Sequence, residues 1–233
     1  MTRIAIVQSA YIPWRGYFDM IGSVDAFILY DDVQYTTGDW RNRNRIRTSN
    51  GPKWLTLPVQ KKHRLQRRIC DVEVSDAGWG GDHWNKLEQS YRKAPAFEET
   101  ARWLRPLYET EETNLSRINC SFLTAICSFL GIKTPLGWSW DYEKSGDRSE
   151  RVLALCRAAG ADTYVSGPAA KGYLDVGLFE SAGVSVEWFS YDRLEPYPQI
   201  HGGFEQAVSI VDLLFNCGPQ ARDHLPSLRR TEV

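Results

Sequence analysis

The chain has 233 residues, with 28 lysines and arginines against 29 aspartates and glutamates, and a formal net charge of −1. Its apolar and charged fractions, 42% and 24%, are those of a folded globular protein and exclude a disordered chain. No apolar run approaches the ~20 residues of a membrane span, and the amino terminus lacks the layout of a signal peptide. The sequence therefore predicts a cytoplasmic protein without a membrane span.

The cysteines and histidines form no recognisable metal or disulfide pattern. Five cysteines are an odd number and include no C-x-x-C pair, so reduced thiols are the simplest interpretation in a cytosolic chain. The four histidines are scattered, and their spacing predicts no zinc site. We expect no metal, and the sequence alone identifies no cofactor.

The first forty residues have the pattern strand, loop, helix, strand. Residues 4–7 and 26–30 are short apolar runs typical of buried parallel strands, separated by a polar loop with Pro13 and a short helix from Gly16. In such units ligands bind beyond the carboxyl ends of the strands. The polar and aromatic side chains at that edge, which we predict to form a site, are Gln8, Tyr11, Trp14, Arg15, Asp31, Asp32, Gln34 and Tyr35.

A basic stretch follows, with ten lysines or arginines and no acidic residue between positions 40 and 69. Arginines alternate at 41, 43, 45 and 47, and the period of a strand places all four on one face. One interpretation is a solvated edge strand whose charges prevent aggregation. The other is a phosphate site involving Arg43, Asn44 and Arg45, because arginine binds such oxygens with two parallel hydrogen bonds. RNA binding by the basic loop 61–68 stays open.

The middle of the chain is helical, and the last hundred residues return to alternating strands and helices. Helices are predicted over 80–93, 97–108 and 115–130, the last between a Thr113/Asn114 cap and Gly131. The remaining predictions are strands at 54–59, 134–140, 163–166 and 184–191 and helices at 145–159 and 204–215. Another helix is predicted to end at residue 182, and the tail after Pro219 is expected to be frayed. The predicted fold class is therefore α/β, with a mostly parallel sheet and helices on both faces. We expect one domain, residues 1–233, with a helical subdomain at about 80–131.

A second polar group follows the strand at 163–166, in the sequence S-G-P-A-A-K-G-Y-L. Ser166, Lys171 and Tyr173 fall at a strand-to-helix turn, where free backbone N–H groups and a lysine can bind an anion. The P-loop pattern is absent, so an ordinary turn with a surface lysine is the alternative. Because parallel strands end at one edge, we expect one cleft to be lined by Gln8, Tyr11, Arg15, Asp31, Asp32 and Lys171.

Six segments, spread over nearly the whole chain, carry a family resemblance: Q-S-A-Y-I-P-W-R-G-Y-F, D-D-V-Q-Y, W-R-N-R-N-R-I, W-L-T-L-P-V, S-G-P-A-A-K-G-Y-L-D and S-I-V-D-L-L-F-N-C-G. They closely resemble the WbqC-like protein family. The resemblance implies an enzyme of bacterial surface polysaccharide (O-antigen) synthesis that transfers glycine, or another amino acid, to the amine of an amino sugar.

The opening segment also resembles, more distantly, the nucleotidylyltransferases, a superfamily that includes pantothenate synthetase. That likeness implies a nucleotidylyltransferase-like, Rossmann-like core with a helical insertion. These enzymes carry H-x-G-H between the first strand and helix, whereas this chain has P-W-R-G-Y at that place.

Acylation of an amine requires an activated carboxyl group, a base for the ammonium proton and donors to the developing oxyanion. The predicted catalytic residues are Asp31 and Asp32, which would orient or deprotonate the amine, and Lys171, which would hold a phosphate. The aromatic side chains would stack on a sugar or base. The predicted partners are a small-molecule amine and an activated amino-acid donor, which could be ATP with a free amino acid, aminoacyl-tRNA or a carrier thioester.

Two other classes of function stay open at this point. One is a nucleotidylyl or glycosyl transferase acting on a nucleotide-linked substrate. The other is a non-catalytic protein that binds a nucleotide or sugar in the same basic cleft. In either case Asp31 and Asp32 have a purely structural alternative, since paired aspartates are common in the turn after a strand.

Overall fold

A computed structural model describes residues 1–60 and 67–229. Its seven strands are β1 (Arg3–Val7), β2 (Ala26–Leu29), β3 (Arg43–Thr48), β4 (Gly51–Thr56), β5 (Leu136–Trp138), β6 (Thr163–Ser166) and β7 (Ser185–Trp188). Five of them form a sheet in the order β5-β2-β1-β6-β7, and β3 and β4 form a separate hairpin. Most of the basic loop for which RNA binding was left open, residues 61–66, lies outside the described residues.

The helices are α1 (Arg15–Gly22), α2 (Trp79–Tyr91), α3 (Phe97–Leu104), α4 (Leu115–Leu130), α5 (Arg148–Ala158), α6 (Val176–Ser181) and α7 (Ile210–Cys217). Short 3-10 segments cover Ile69–Asp71, Arg105–Glu109, Ser139–Asp141, Pro168–Gly172, Gly218–His224 and Pro226–Leu228. Within the described ranges, none of the helices has the length and apolar character needed to cross a bilayer.

All neighbouring strands of the five-stranded sheet are parallel, with Ile4 of β1 opposite Ala26 of β2, and Arg3 of β1 opposite Thr163 of β6. The chain first builds outward from β1 through β2 to β5, and then returns to the other side of β1 with β6 and β7. The strand order therefore reverses between β1 and β6, which is where ligands bind in doubly wound sheets. The predicted α/β class, with β1 and β2 parallel and central, is confirmed.

The two faces of the sheet are buried in two separate clusters. Ala5, Phe27 and Val165 face the cluster that includes α1, α4 and α7, while Ile4 and Ile28 face the cluster that includes α5 and α6. Successive side chains of a strand point to opposite faces, so these continuous apolar runs cover both faces at once. Each such side chain, when fully buried, contributes about 1.5–3 kcal/mol to stability.

The hairpin shows the period of two that its sequence predicts. Asn44 and Ile46 are buried, whereas the arginines at 43, 45 and 47 are half-buried on the other face. The first arginine of the series, Arg41, precedes the strand. Two hydrogen bonds from Asn44 Nδ2, to the carbonyl oxygens of Tyr11 (3.2 Å) and Ile12 (2.9 Å), attach the hairpin to the loop that follows β1. The basic strand thus lies beside the carboxyl edge of the sheet.

The caps predicted for the most apolar helix are confirmed. Asn114 Oδ1 accepts a hydrogen bond from the Arg117 amide (3.1 Å) at the start of α4, and Gly131 ends the helix with a left-handed φ of 73°.

Two other expectations are wrong. The helix predicted over 204–215 begins only at Ile210 and is buried on all sides, because it passes through the core. The division into a domain and a helical subdomain stays a prediction.

The second wrong expectation is the frayed tail after Pro219. The chain continues through two 3-10 segments, and Ala221 in the first and Leu225 between the two are fully buried. The Ser227 amide donates to Asp19 Oδ1 on α1 (2.8 Å). The apolar side chains of this segment cover α1, and burying them compensates for the cost of ordering the chain.

Candidate functional site

A cavity of about 700 Å³, here called the polar cavity, opens at the carboxyl edge of the sheet where the strand order reverses. Gln8, Asp32 and Ser166, which follow or end β1, β2 and β6, form part of its wall. The opposite wall is the start of α5. The cavity as a whole is lined by three arginines, two aspartates and five tyrosines: Arg41, Arg148, Arg151, Asp32, Asp147, Tyr17, Tyr30, Tyr164, Tyr173 and Tyr191.

Asp32 is the centre of a charged network in this wall. Its Oδ2 lies 2.7 Å from Lys144 Nζ and 2.9 Å from Arg151 Nη2, and the Ser139 hydroxyl donates to its Oδ1. Burial alone would raise the pKa of Asp32, but hydrogen bonds from Lys144 and Ser139, with the nearby charges, lower it below the ordinary value. Asp32 is therefore a fixed negative charge, and the two cations around it leave this wall net positive.

The amino terminus of α5 points a second positive group at the cavity. Asp147 stands at the N-cap position, but its side chain makes no capping hydrogen bond, so the first amides of the helix are free to bind an anion. Gly146 and Arg148 both have positive φ, 79° and 43°. A left-handed arginine is uncommon, and such backbone strain concentrates at functional sites.

Arg41 fixes the floor of the site beneath the end of β1. Its Nη1 donates to the carbonyl oxygens of Gln8 and Ser9, both at 2.9 Å, and the Tyr17 hydroxyl also donates to Gln8 (3.0 Å). The Ser9 amide donates to Asp31 Oδ1 at 2.7 Å. Burial raises the pKa of Asp31, although hydrogen bonds from Ser9 and Ser116 oppose that shift. Asp31 thus holds the loop after β1 from inside the protein.

A second cavity of about 490 Å³, here called the apolar cavity, adjoins the first. It lies between the loop after β1, the start of the hairpin and residues 205–207, and its walls include Trp14, Trp40 and Asn44. The two cavities share Val7, Tyr17 and Arg41 in their walls. A ligand in one cavity would consequently meet a ligand in the other at the end of β1.

The loop between the cavities contains a strained residue. Ile12 is fully buried and has a φ of 37°, a conformation that costs a β-branched residue about 1–2 kcal/mol. Its carbonyl oxygen accepts hydrogen bonds from Asn44 Nδ2 and from the Ser209 hydroxyl (2.6 Å). These contacts hold the loop in one shape, as a preorganised site requires.

The structure divides the predicted site residues into three groups. The polar cavity is lined by Gln8, Asp32, Gln34, Ser166 and Tyr173, and the apolar cavity by Trp14 and Asn44. The side chains that line neither cavity are Tyr11, Arg15, Asp31, Tyr35, Arg43, Arg45 and Lys171. Of the six residues expected to share one cleft, only Gln8 and Asp32 do so, and that expectation needs correction.

Each displaced side chain has a physical reason for its place. Tyr11 is fully buried and its hydroxyl contacts His83 Nδ1 at 2.8 Å. Arg15, only 2% exposed, donates to the Glu195 carbonyl (2.7 Å) and lies over the Tyr197 ring. Lys171 is on the correct edge of the sheet, but its Nζ lies near Trp188, 5.8 Å from the ring centroid. Residue type and strand end alone cannot distinguish these environments.

Sequence reasoning missed Lys144, Arg148 and Arg151, which supply most of the positive charge around Asp32 and the polar cavity. A signal for them was present, because the strand predicted at 134–140 also ends at the carboxyl edge and leads into a helix that starts D-R-S. Burial and Asp71 raise the pKa of the Cys70 thiol to about 11, which keeps it protonated and weakly nucleophilic near neutral pH.

The fold and site together define an α/β protein with a Rossmann-like parallel sheet and a cationic cavity at the point where its strand order reverses. The chain belongs to the WbqC-like protein family, whose model matches residues 8–224. It is 52% identical over 231 residues to "Uncharacterized protein Rv1507c" of Mycobacterium tuberculosis (strain ATCC 25618 / H37Rv). The aligned region covers 99% of this chain and 100% of that protein. No solved structure shows a significant match. Family membership suggests a biosynthetic enzyme and leaves its specific reaction open.

Proposed function

We propose that the protein is an aminoacyl transferase that acylates the amine of a nucleotide-linked amino sugar, with glycine as the first amino acid to test. The observation that carries this proposal is the pair of adjoining cavities, one polar and cationic, the other apolar, which meet at Val7, Tyr17 and Arg41. A transfer between two substrates needs two sites with a common boundary, because the reacting atoms must approach to about 3–3.5 Å.

The polar cavity suits the nucleotide-linked amine. Arg148, Arg151 and the free amides of α5 offer hydrogen-bond donors for a diphosphate, and guanidinium groups bind such oxygens in pairs. The tyrosines of the wall offer flat surfaces for a base or a sugar ring. Tyr173 lines this cavity and is 74% exposed, so it would contact the same substrate from the rim.

The apolar cavity suits the donor, with the acyl group directed toward the shared boundary. Arg41 lies at that boundary, where its Nη1 donates to two carbonyl oxygens and its Nε lies 3.7 Å from Asp39 Oδ2. The rest of its guanidinium group would stabilise the oxyanion that develops on the acyl carbon. Asp31 would act on the same point indirectly, by holding the Ser9 amide.

The lowered pKa of Asp32 favours one of its two predicted roles. A carboxylate that Lys144 and Arg151 hold in its ionised form is a poor base, but it can orient an ammonium group and fix Arg151 toward a phosphate. We therefore propose Asp32 as an orienting charge and not as the group that removes the proton.

The test is mass spectrometry of an amino-sugar nucleotide after incubation in three separate mixtures: glycine with ATP, glycyl-tRNA, and a glycyl thioester. We expect a mass increase of one glycyl unit in one mixture. Arg151→Ala should reduce this product at least tenfold, whereas Arg157→Ala, on the exposed far end of α5, should not change it.

Other results would favour the rival classes. Release of pyrophosphate without a glycyl product, or transfer of the sugar itself, would replace acyl transfer with a nucleotidylyl or glycosyl transferase. Tight nucleotide binding with no product in any mixture, and no change of the bound nucleotide, would favour a binding protein.

A further inference from the structure

Two exposed tryptophans stand side by side at the mouth of the apolar cavity. Trp40 and Trp54 are each 43% exposed, and their ring centroids lie 5.4 Å apart. Exposed large apolar side chains are few among the described residues. Two adjacent tryptophan rings in water lack the stabilisation that burial in the core would give them. Their arrangement therefore points to a binding surface.

The surface around the pair is basic. The Arg43 guanidinium lies 4.2 Å from the Trp54 ring centroid and that of Arg45 5.8 Å, and the strand register places Arg45 directly opposite Trp54. Within the described residues, Arg43 donates to the Gly38 carbonyl, and the Arg45 side chain makes no hydrogen bond or ion pair. Asp39 is the acidic side chain beside this surface, and the charges of Arg41 and Arg43 help to lower its pKa, so the surface stays net positive.

This surface connects two cavities. Trp40 lines the apolar cavity, while Lys53 and Trp54 line a further cavity of about 390 Å³ between the hairpin and α2. An elongated ligand would run from that cavity across both rings and end in the apolar cavity. The ligand must therefore be a chain, with flat groups for the tryptophans and negative charges for the arginines.

We propose that Trp40, Arg43, Arg45 and Trp54, here called the tryptophan platform, bind single-stranded RNA, and that its occupant is the 3′ end of an aminoacyl-tRNA. Unpaired bases stack on aromatic and guanidinium planes, and lysine and arginine contact the phosphates. The platform would place the terminal ribose, with its amino acid, in the apolar cavity. The RNA surface stands on these contacts, while the assignment of the donor rests on the proposed function.

The chemical step balances without ATP. The amine nitrogen attacks the ester carbonyl carbon, a C–N bond forms, and the bond between that carbon and the ribose oxygen breaks. The proton lost by the amine ends on the ribose oxygen, so the products are an amide and free tRNA.

The binding test uses fluorescence anisotropy with three probes: a deacylated tRNA pool, a short single-stranded RNA, and the same RNA as a duplex. We expect the tRNA pool and the single strand to bind and the duplex to bind at least tenfold more weakly. Trp54→Ala and Arg45→Ala should each weaken single-strand binding at least tenfold, Trp54→Phe should retain most of it, and added salt should reduce it.

Trp140→Ala is the matched control, because Trp140 is also exposed (39%) and stacked, on Trp138 at 4.2 Å, but lies outside the platform. Equal losses in Trp54→Ala and Trp140→Ala, equal binding of single strand and duplex, or no RNA binding would overturn the proposal. Binding that tracks Trp54 but ignores the arginines and salt would also overturn it, in favour of a protein or glycan partner.

The three donor mixtures separate this inference from the proposed function. Glycyl transfer from the thioester or from ATP, without RNA binding, would overturn the RNA inference and keep the transferase. RNA binding through the platform without transfer from any donor would support the RNA surface and overturn both the transferase and the donor assignment.

Discussion

Two buried aspartates, Asp32 and Asp212, differ in the partners that surround them. Asp32 contacts the cations of Lys144 and Arg151 and lines the polar cavity. Asp212 is fully buried, lines none of the cavities described above, and accepts hydrogen bonds from neutral groups only: the Tyr91 hydroxyl (2.9 Å), the Tyr197 hydroxyl (2.8 Å) and Gln199 Nε2 (2.7 Å).

The two sets of partners move the two pKa values in opposite directions. Burial raises the pKa of Asp212, and its neutral donors only partly oppose that shift. Lys144, Ser139 and Arg151 outweigh burial at Asp32 and lower its pKa. A buried carboxylate with neutral donors joins pieces of the core, whereas one that gathers cations at a cavity leaves positive charge available for a ligand.

The largest effect should follow from Asp212→Ala. The buried hydroxyls of Tyr91 and Tyr197 would lose their acceptor, whereas Gln199 Nε2 keeps the Glu205 carbonyl. Each unsatisfied group costs about 1–3 kcal/mol, so we expect a loss of about 3–5 kcal/mol in the free energy of unfolding. Urea titration at pH 7 would measure it. Asp212→Asn keeps one acceptor oxygen and should lose less than half as much. Equal stability of the wild type and Asp212→Ala would remove the structural role of this cluster.

A third buried titratable group, His83, extends the comparison to a group without a counter-charge in direct contact. Its ring contacts the Tyr11 hydroxyl and the Thr56 backbone, and burial, with the nearby Lys86, lowers its pKa from 6.5 to about 4. The fold thus favours neutral His83, and the unfolded chain binds the proton more readily between those values. This stabilisation is present above pH 6.5 and is lost as the pH falls toward 4, by about 3 kcal/mol in all.

Unfolding measured in urea at pH 7, 5.5 and 4.5 would test this effect against His83→Gln, which cannot take up a proton at this position. The wild type should lose about 2 kcal/mol more than the variant between pH 7 and 4.5. Parallel loss in both proteins would assign the acid sensitivity to other groups.

The fold was predictable where the signal is local. The apolar runs of β1 and β2, the alternation around Asn44 and the caps of α4 depend on residues close together in sequence, and each was found. The folded tail was missed because the segment Pro226–Leu228 packs on a distant partner, α1, which no local pattern reveals.

The site was predictable as an edge of the sheet and not as a set of contacts. Asp31 and Asp32 are neighbours in sequence, yet one turns inward to Ser9 and the other outward to the polar cavity. Their separation follows from the alternation at the end of β2. The partners that give Asp32 its charge, Lys144 and Arg151, come from the far side of the helical segment, and spacing along the chain does not identify them.

Asp32→Asn should destabilise the protein less than Asp212→Ala, by about 2 kcal/mol at pH 7. The substitution leaves Lys144 buried without a counter-charge, but the carbonyl oxygens of Ser139 and Tyr142 still accept from its Nζ. The pKa of Asp32 is lowered in the fold, so its contribution is present above its ordinary value of 3.8 and is lost as the pH falls through the folded value. Urea titrations of both proteins at pH 7 and at pH 3.5 should show the difference shrink. A constant difference would mean that the charge of Asp32 does not stabilise the fold.

The smallest effect should be the coupling between Asp32 and Arg151 in a double-mutant cycle with Asp32→Asn and Arg151→Ala. The Arg151 side chain is 33% exposed, whereas that of Lys144 is 8% exposed, so water screens the first pair more than the second. We expect a coupling below about 1 kcal/mol for Arg151, against a larger one in the matching cycle with Lys144→Met. Equal couplings would make Arg151 a second structural partner of Asp32. A weak coupling, together with at least tenfold weaker nucleotide binding in Arg151→Ala, would instead make Arg151 a ligand-binding residue and Lys144 the structural partner of Asp32.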